Sequence, residues 1–190
     1  TISGELALDR AGKFLAMRLE WINDMGAYLS PAAVGHIRNT IVCMTGVYCI
    51  PALHATYRVA LTNSTPVGSY RGAGRPDIAY VVERLVNQAA AELNLDAAEL
   101  RRINFIPPEA FPYKTPTGSV YEIADLPGLL KKALKLGDWN GFPRRREQSA
   151  AAGKLRGIGI STVIENTGAG NADKDEIELR LGASGVVEVH

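Results

Sequence analysis

Ser69-Tyr70-Arg71-Gly72-Ala73-Gly74-Arg75-Pro76-Asp77 joins a stretch that alternates like a strand to one that repeats like a helix. Glycines at 72 and 74 permit positive φ or a close approach of the backbone. Pro76 suits the first turn of a helix, where its missing N–H would have been unpaired anyway. A helix that begins here offers free N–H groups and a partial positive charge, and Arg71 and Arg75 add two cations with planar donors. Together the parts fit an anion, or negative charge developing on a reacting group. They also fit a tight strand-to-helix turn with solvated arginines. Gly72-Ala73-Gly74 opens a G-x-G-x-x-G pattern, but Asp77 stands at its third glycine and helix follows helix through Asn94-Leu95-Asp96. That excludes a dinucleotide-binding βαβ unit.

Upstream of the turn the chain reads as β-structure. Glu5–Asp9 is a short strand, residues 9–12 a turn, and Lys13–Asp24 a longer strand with Leu15, Met17, Leu19 and Trp21 on one face and Arg18 and Glu20 on the other. Gly26 and Pro31 close it. Residues 37–50 have no clean period and read as irregular, with room for a short helix. His54–Thr62 alternates again, with Ala55, Tyr57, Val59 and Leu61 on one face.

Downstream the chain is helical. Ile78, Val81, Val82, Leu85, Val86 and Ala89 form the stripe of a helix running to about Leu93. Asp96 caps a second helix through Asn104, with Glu99 completing a capping-box pattern, and Pro107-Pro108 ends it. Residues 110–123 read as a long connection. A third helix starts near Asp125 with Leu126, Leu129, Leu130, Ala133 and Leu134, and Gly137 stops it. Pro143–Ala152 is a fourth, basic helix. After Gly153 the reading returns to β: a strand over Leu155–Ile164, a glycine-rich loop over 166–173, and a hairpin of Glu176–Leu181 with Val186–Val189. The fold class is α+β, with hairpins and strands flanking a central set of helices. A boundary near 153 separates a first domain, 1–153, from the beginning of a second, 154–190.

Composition narrows the partners. The 190 residues carry 21 Lys and Arg against 20 Asp and Glu, so a formal charge of +1 provides no broad grip on nucleic acid or an anionic membrane. No apolar run approaches the roughly 20 residues needed to span a bilayer, and no leader pattern is visible, so the cytoplasm is the expected location. The start at Thr1 and the strand-like finish at Val186–His190 are expected of a piece cut from a longer protein. Cys43 and Cys49 read as buried small hydrophobes in a reducing compartment.

Tyr70-Arg71-Gly72-Ala73-Gly74-Arg75 resembles the active-site loop of the molybdopterin-binding large subunit of the xanthine oxidase family, and most of all its aerobic carbon monoxide dehydrogenase-like branch, second form. That branch carries A-Y-x-G-A-G-R, and only Ser69 departs from it. Gly26-Ala27-Tyr28, Pro51, Glu83-Arg84-Leu85, Leu100-Arg101-Arg102-Ile103-Asn104 and Gly157-Ile158-Gly159 follow in family order, so the resemblance covers essentially the whole chain.

The resemblance implies oxidative hydroxylation of an aldehyde or N-heterocycle, with water as the oxygen source. It implies a molybdenum–molybdopterin cytosine dinucleotide cofactor and electron transfer to Fe–S and FAD (flavin) groups on partner subunits. Arg71 takes the catalytic position, stabilising negative charge in the transition state. Gly72, Ala73, Gly74 and Arg75 take cofactor-binding positions, and Tyr70 and Glu165 lie toward the substrate pocket. Gly72 stands where carbon monoxide oxidisers carry the cysteine that bridges copper to molybdenum, so carbon monoxide oxidation is not expected. The family's F-G-G, G-Q-G-H and G-x-G-E segments are not among these 190 residues, and no cofactor is expected to stay on the piece alone.

Other candidates read as structural. Glu83 is expected in an ion pair, Arg144-Arg145-Arg146 on a solvated face, Lys131, Lys132 and Lys135 on the outside of the third helix, and His36 and His54 as structural histidines without a second metal ligand. A rival from another class stays open: a non-catalytic scaffold or interaction piece that keeps the fold without cofactor.

Overall fold

A computed structural model of the chain describes residues 1–165 and 177–189. The first turn folds as its sequence implies. Strands β1 (Ile2–Leu8) and β2 (Phe14–Asp24) run antiparallel, and Asp9 Oδ1 accepts the backbone N–H groups of Ala11 and Lys13 at 2.9 and 2.8 Å. Met17, Leu19 and Trp21 face the core while Arg18 and Glu20 face out. Leu15 leaves that face. Pairing passes from Ala7↔Ala16 to Leu8↔Phe14, so Leu15 sits in a bulge, exposed, and Phe14 is buried in its stead.

Residues 31–50 are more regular than their sequence implies. Pro31 does not close a strand; it opens helix α1 (Pro31–Val42). Gly35 and the β-branched Val34, Ile37, Thr40 and Ile41 weaken helix propensity and blur the stripe, so contacts with the rest of the fold decide this helix. Strand β3 (Ala52–Ala60) then pairs parallel to β2, giving the order β1-β2-β3. Tyr57 packs on Trp21 with ring centroids 5.6 Å apart. Val59 and Leu61 are exposed rather than buried. They lie at the β3 edge, whereas the covering helix lies against β1.

That helix is α2 (Arg75–Glu92), which buries Ile78, Val82, Val86 and Ala89 as its stripe implies. Helix α3 (Ala97–Asn104) is capped by Asp96, whose Oδ1 accepts the N–H groups of Ala98 and Glu99 at 2.8 and 3.0 Å. The reciprocal half of the capping box does not form. Glu99 pairs with Arg102 instead, because a guanidinium one turn away is a stronger donor than a neutral amide. Asn104 fastens α3 to the first hairpin: its Nδ2 donates to Gly12 O at 2.8 Å and its Oδ1 accepts from Phe14 N at 2.8 Å. At the centre of the core Phe14 meets Tyr48 edge-on, with centroids 5.4 Å apart, and Tyr48 stacks on Phe105 at 5.8 Å. Truncating a buried neighbour such as Leu100 to alanine costs about 2–5 kcal/mol.

The long connection over 110–123 holds a hairpin too short to show as an alternating run, β4 (Tyr113–Lys114) and β5 (Val120–Tyr121). Helix α4 (Leu126–Leu136), capped by Asp125 at Gly128 N, turns Leu126, Leu130 and Leu134 inward and leaves Leu129 exposed. Helix α5 (Phe142–Ala151) follows. Residues 155–164 form no strand; polar groups at Ile160 and Thr162 bond to side chains instead of a ladder. The glycine-rich loop over 166–173, and Glu176, lie outside the described residues. Strands β6 (Leu179–Leu181) and β7 (Val187–Val189) pair antiparallel. The architecture is α+β.

Candidate active site

The turn before α2 has three successive residues at positive φ: Gly72 at +92°, Ala73 at +39° and Gly74 at +90°. For an L-residue such as Ala73 that region costs roughly 1–2 kcal/mol, so the surroundings must enforce it. Ala73 N–H donates to Tyr70 O at 2.8 Å, Arg75 N–H to Gly72 O at 3.1 Å, and Ile78 N–H to Gly74 O at 3.2 Å. A Cβ at Gly74 would lie 2.2 Å from His36 O and 2.6 Å from Thr40 Oγ1, and one at Gly72 would lie 2.8 Å from Pro76 Cγ. Both glycines are therefore required by packing within the chain, against α1 and against the ring of Pro76. Ser69 Oγ donates to Ala32 O and fixes the turn's start to α1.

This turn sends its two arginines, four positions apart in the sequence, opposite ways. Arg71 is exposed, and its guanidinium makes no hydrogen bond or ion pair among the described residues. Tyr70 beside it is 90% exposed. The amides of Gly72 and Gly74 likewise donate to no group among the described residues. Arg75 turns inward: its side chain is only 19% exposed and pairs with Glu165 at 3.3 Å. Its charge bears on the Cys43 thiol, which burial pushes up and Arg75 pulls partly back. Arg75 Nε, Thr45 Oγ1 and Tyr121 Oη are buried without a partner among the described residues. Burial also pushes the Tyr121 phenol up, with the Cys43 charge adding to it. Thr45 and Tyr121 carry no sequence signal that marks them.

Beneath the turn, Glu83 forms the expected ion pair, and its partner is the fully buried Arg101. Arg101 Nε and NH2 donate to Glu83 Oε2 at 3.0 and 2.7 Å. The pair ties α2 and α3 to two further segments: Arg101 donates to Ala97 O, Asn87 Oδ1 and Ile160 O, and Glu83 accepts from Tyr48 Oη and from Thr162 N and Oγ1. Burial, with Glu83 alongside, pushes the Tyr48 phenol well up. His36, on α1, faces Asp77 at 3.2 Å and so closes the other side of the helix start. The arginine run behaves as a surface: Arg145 pairs with Asp138 and caps Gly137 O at 3.0 Å, while Arg144 and Arg146 are exposed. His54 is exposed on β3, both cysteines are free thiols, and among the described residues no group of three His, Cys, Asp or Glu could hold a metal ion. No helix among the described residues is long and apolar enough to cross a membrane.

Residues 1–105 match the molybdopterin cofactor-binding domain family. The chain is 36% identical to the carbon monoxide dehydrogenase large chain of Hydrogenophaga pseudoflava over 97% of its own length and 25% of that protein. It is 32% identical to the nicotine 6-hydroxylase large subunit of Paenarthrobacter nicotinovorans, over 86% of the chain and 20% of that subunit. The structure superposes on quinoline 2-oxidoreductase from Pseudomonas putida 86 with a TM-score of 0.82 at 30% identity, covering 98% of this chain and 25% of that one. The chain thus spans a quarter or less of the length of these relatives. The match takes in the turn and the Glu83–Arg101 pair, and the chain belongs to the molybdopterin cofactor-binding domain family.

Proposed function

We propose that the chain is part of the catalytic subunit of a molybdenum hydroxylase, and that its Tyr70–Arg75 turn forms one wall of the site where substrate meets cofactor. The carrying observation is Arg71, a guanidinium held on a rigid turn with no protein partner among the described residues. The surrounding donors fit an acceptor-rich, anionic cofactor. Unpaired amides at Gly72 and Gly74 and the buried Nε of Arg75 are all donors, while the nearby carboxylates of Glu165 and Asp77 are engaged by Arg75 and His36. The cofactor we infer is molybdenum–molybdopterin in its cytosine dinucleotide form. When bound it supplies the two-electron redox step, and the protein supplies positioning and electrostatics.

In this reading Gly72, Ala73, Gly74 and Arg75 belong to the cofactor's wall, with the two free amides as its donors. Arg71 faces the substrate and stabilises negative charge that grows there during the reaction. Tyr70 lies on the substrate side, next to Arg71. An N-heterocycle is the favoured substrate class, supported by relatives named for nicotine and quinoline; an aldehyde is the second, supported by a 28% identical aldehyde oxidoreductase of Megalodesulfovibrio gigas. Electrons would leave through Fe–S and flavin groups on partner subunits. We place the complex in the cytoplasm, in keeping with free Cys43 and Cys49, and read residues beyond about 153 as the start of a second cofactor-binding domain.

The test is the full-length subunit, purified with its partners and assayed for dye reduction driven by N-heterocycles and aldehydes in ¹⁸O-labelled water. Turnover with label in the product supports the reading. A correctly folded complex that contains no molybdenum and turns over neither class supports the scaffold instead.

A further inference from the structure

The segment Ile160–Glu165 is tied down at two points and touches the turn at its end. Its middle is clasped by the buried pair, through Arg101 to Ile160 O at 3.1 Å and through Glu83 to Thr162 N at 2.9 Å. Three residues further on, Glu165 meets the guanidinium of Arg75 at 3.3 Å. Three residues of chain reach about 10 Å at most, so the clasp at Thr162 limits where the Glu165 carboxylate can go. Val163 and Ile164 line a small space with Cys43, Arg75 and Val82, so the same segment covers the inner side of Arg75. Arg75 in turn is bonded through its backbone N–H to Gly72 O, within the run of positive φ that presents Arg71.

We propose that Glu165 is a positioning residue for Arg71: it holds the Arg75 guanidinium to the inner side of the turn, leaving Arg71 as the one cation of the pair that faces outward. The inference rests on the function proposed above and replaces the expectation that Glu165 contacts substrate. The ion pair itself adds little to folding, since Glu165 is 61% exposed and such exposed pairs contribute about 0–1 kcal/mol. Its effect is on geometry. Without it, Arg75 is free to leave the Cys43 side and to add a second, mobile charge beside Arg71.

Two measurements on the full-length subunit in its complex test this. In turnover, Glu165→Ala should lower kcat by about 5–20-fold with KM within about twofold, and should add nothing in an Arg71→Ala background, because residues that act as a unit are not additive. An equal loss in both backgrounds would mean that Glu165 acts on its own, and would overturn the proposal. The second readout needs no activity: phenylglyoxal labelling with peptide mapping. Arg71 should react and Arg75 stay protected in the wild type, while Glu165→Ala should expose Arg75 to the reagent. Protection of Arg75 that survives the substitution overturns the proposal, whether or not the complex turns over. An inactive wild-type complex with Arg75 released by Glu165→Ala would instead leave the positioning role standing and remove the hydroxylase reading.

Discussion

Thr162 donates its backbone N–H to Glu83 Oε2 at 2.9 Å, although the two residues stand 79 positions apart. Through this bond a segment without strand partners is anchored to the same buried carboxylate that neutralises Arg101. A buried pair of this kind adds modest net stability, because removing both charges from water offsets most of their attraction. What it provides here is placement: α2, α3, Tyr48 and the 160–165 segment all meet at one carboxylate.

Removing one partner of that pair should therefore be costly. Arg101→Met leaves Glu83 buried and uncompensated, and urea unfolding of the chain should show a loss of about 3–5 kcal/mol. Adding Glu83→Met should recover part of it, though the Thr162 N–H then lacks its acceptor. A loss under about 1 kcal/mol for Arg101→Met, the level of an exposed pair, would contradict the account of the clasp.

Arg71 is expected to act in the transition state. In the complete enzyme Arg71→Ala should lower kcat by about 10²–10³-fold, with a smaller change in substrate binding. Arg71→Lys should recover only part, because an ammonium on a flexible stem lacks the planar fork. Arg75→Ala is the comparison: its side chain is built into the base of the turn, so thermal stability and cofactor content should fall first. Normal turnover by Arg71→Ala would show that the wrong arginine has been assigned to the chemistry.

Copper is not expected at this site. Gly72 has φ of +92°, and a Cβ there would meet Pro76 Cγ at 2.8 Å. The complete enzyme should show no carbon monoxide-dependent dye reduction, and Gly72→Cys should lower stability without creating that activity. Elemental analysis for copper, alongside the dye assay, checks both statements.

Molybdenum should not remain on the 190-residue chain by itself. The donors described come from one turn and its base, and the chain spans 25% of the length of its Hydrogenophaga relative. Metal analysis of the purified chain after reconstitution should give well under one molybdenum per molecule. A stoichiometric value would refute this.

Acid stability should depend on Asp24. Hydrogen bonds from the Thr62 hydroxyl, then from Gly26 N–H and Ser64, hold its carboxyl below the ordinary value of 3.8. A lowered folded pKa stabilises the fold above the ordinary value and loses that contribution as pH falls through the lowered one. Melting temperatures below pH 4 should therefore fall less steeply for Asp24→Asn than for the wild type. Identical slopes would show that Asp24 is not coupled to folding.

Much of this was open to reading along the chain. Local chemistry settles the first hairpin, the α2 stripe, the Asp96 and Asp125 caps and the glycine-bearing turn, because each depends on neighbours within a few residues. The motif around Arg71 was likewise sufficient to indicate the family. Tertiary contacts decided the rest. Helix α1 forms despite weak propensity, since Thr40 and His36 must meet Gly74 across the fold. Residues 155–164 alternate well enough for a strand yet form none, because Arg101 and Glu83 take the bonds that a ladder would have used. Nothing in the order Arg71, Arg75 says that one guanidinium faces out and the other in. That division comes from where Glu165 and Cys43 arrive in space, and periodicity carries no information about residues 90 positions away.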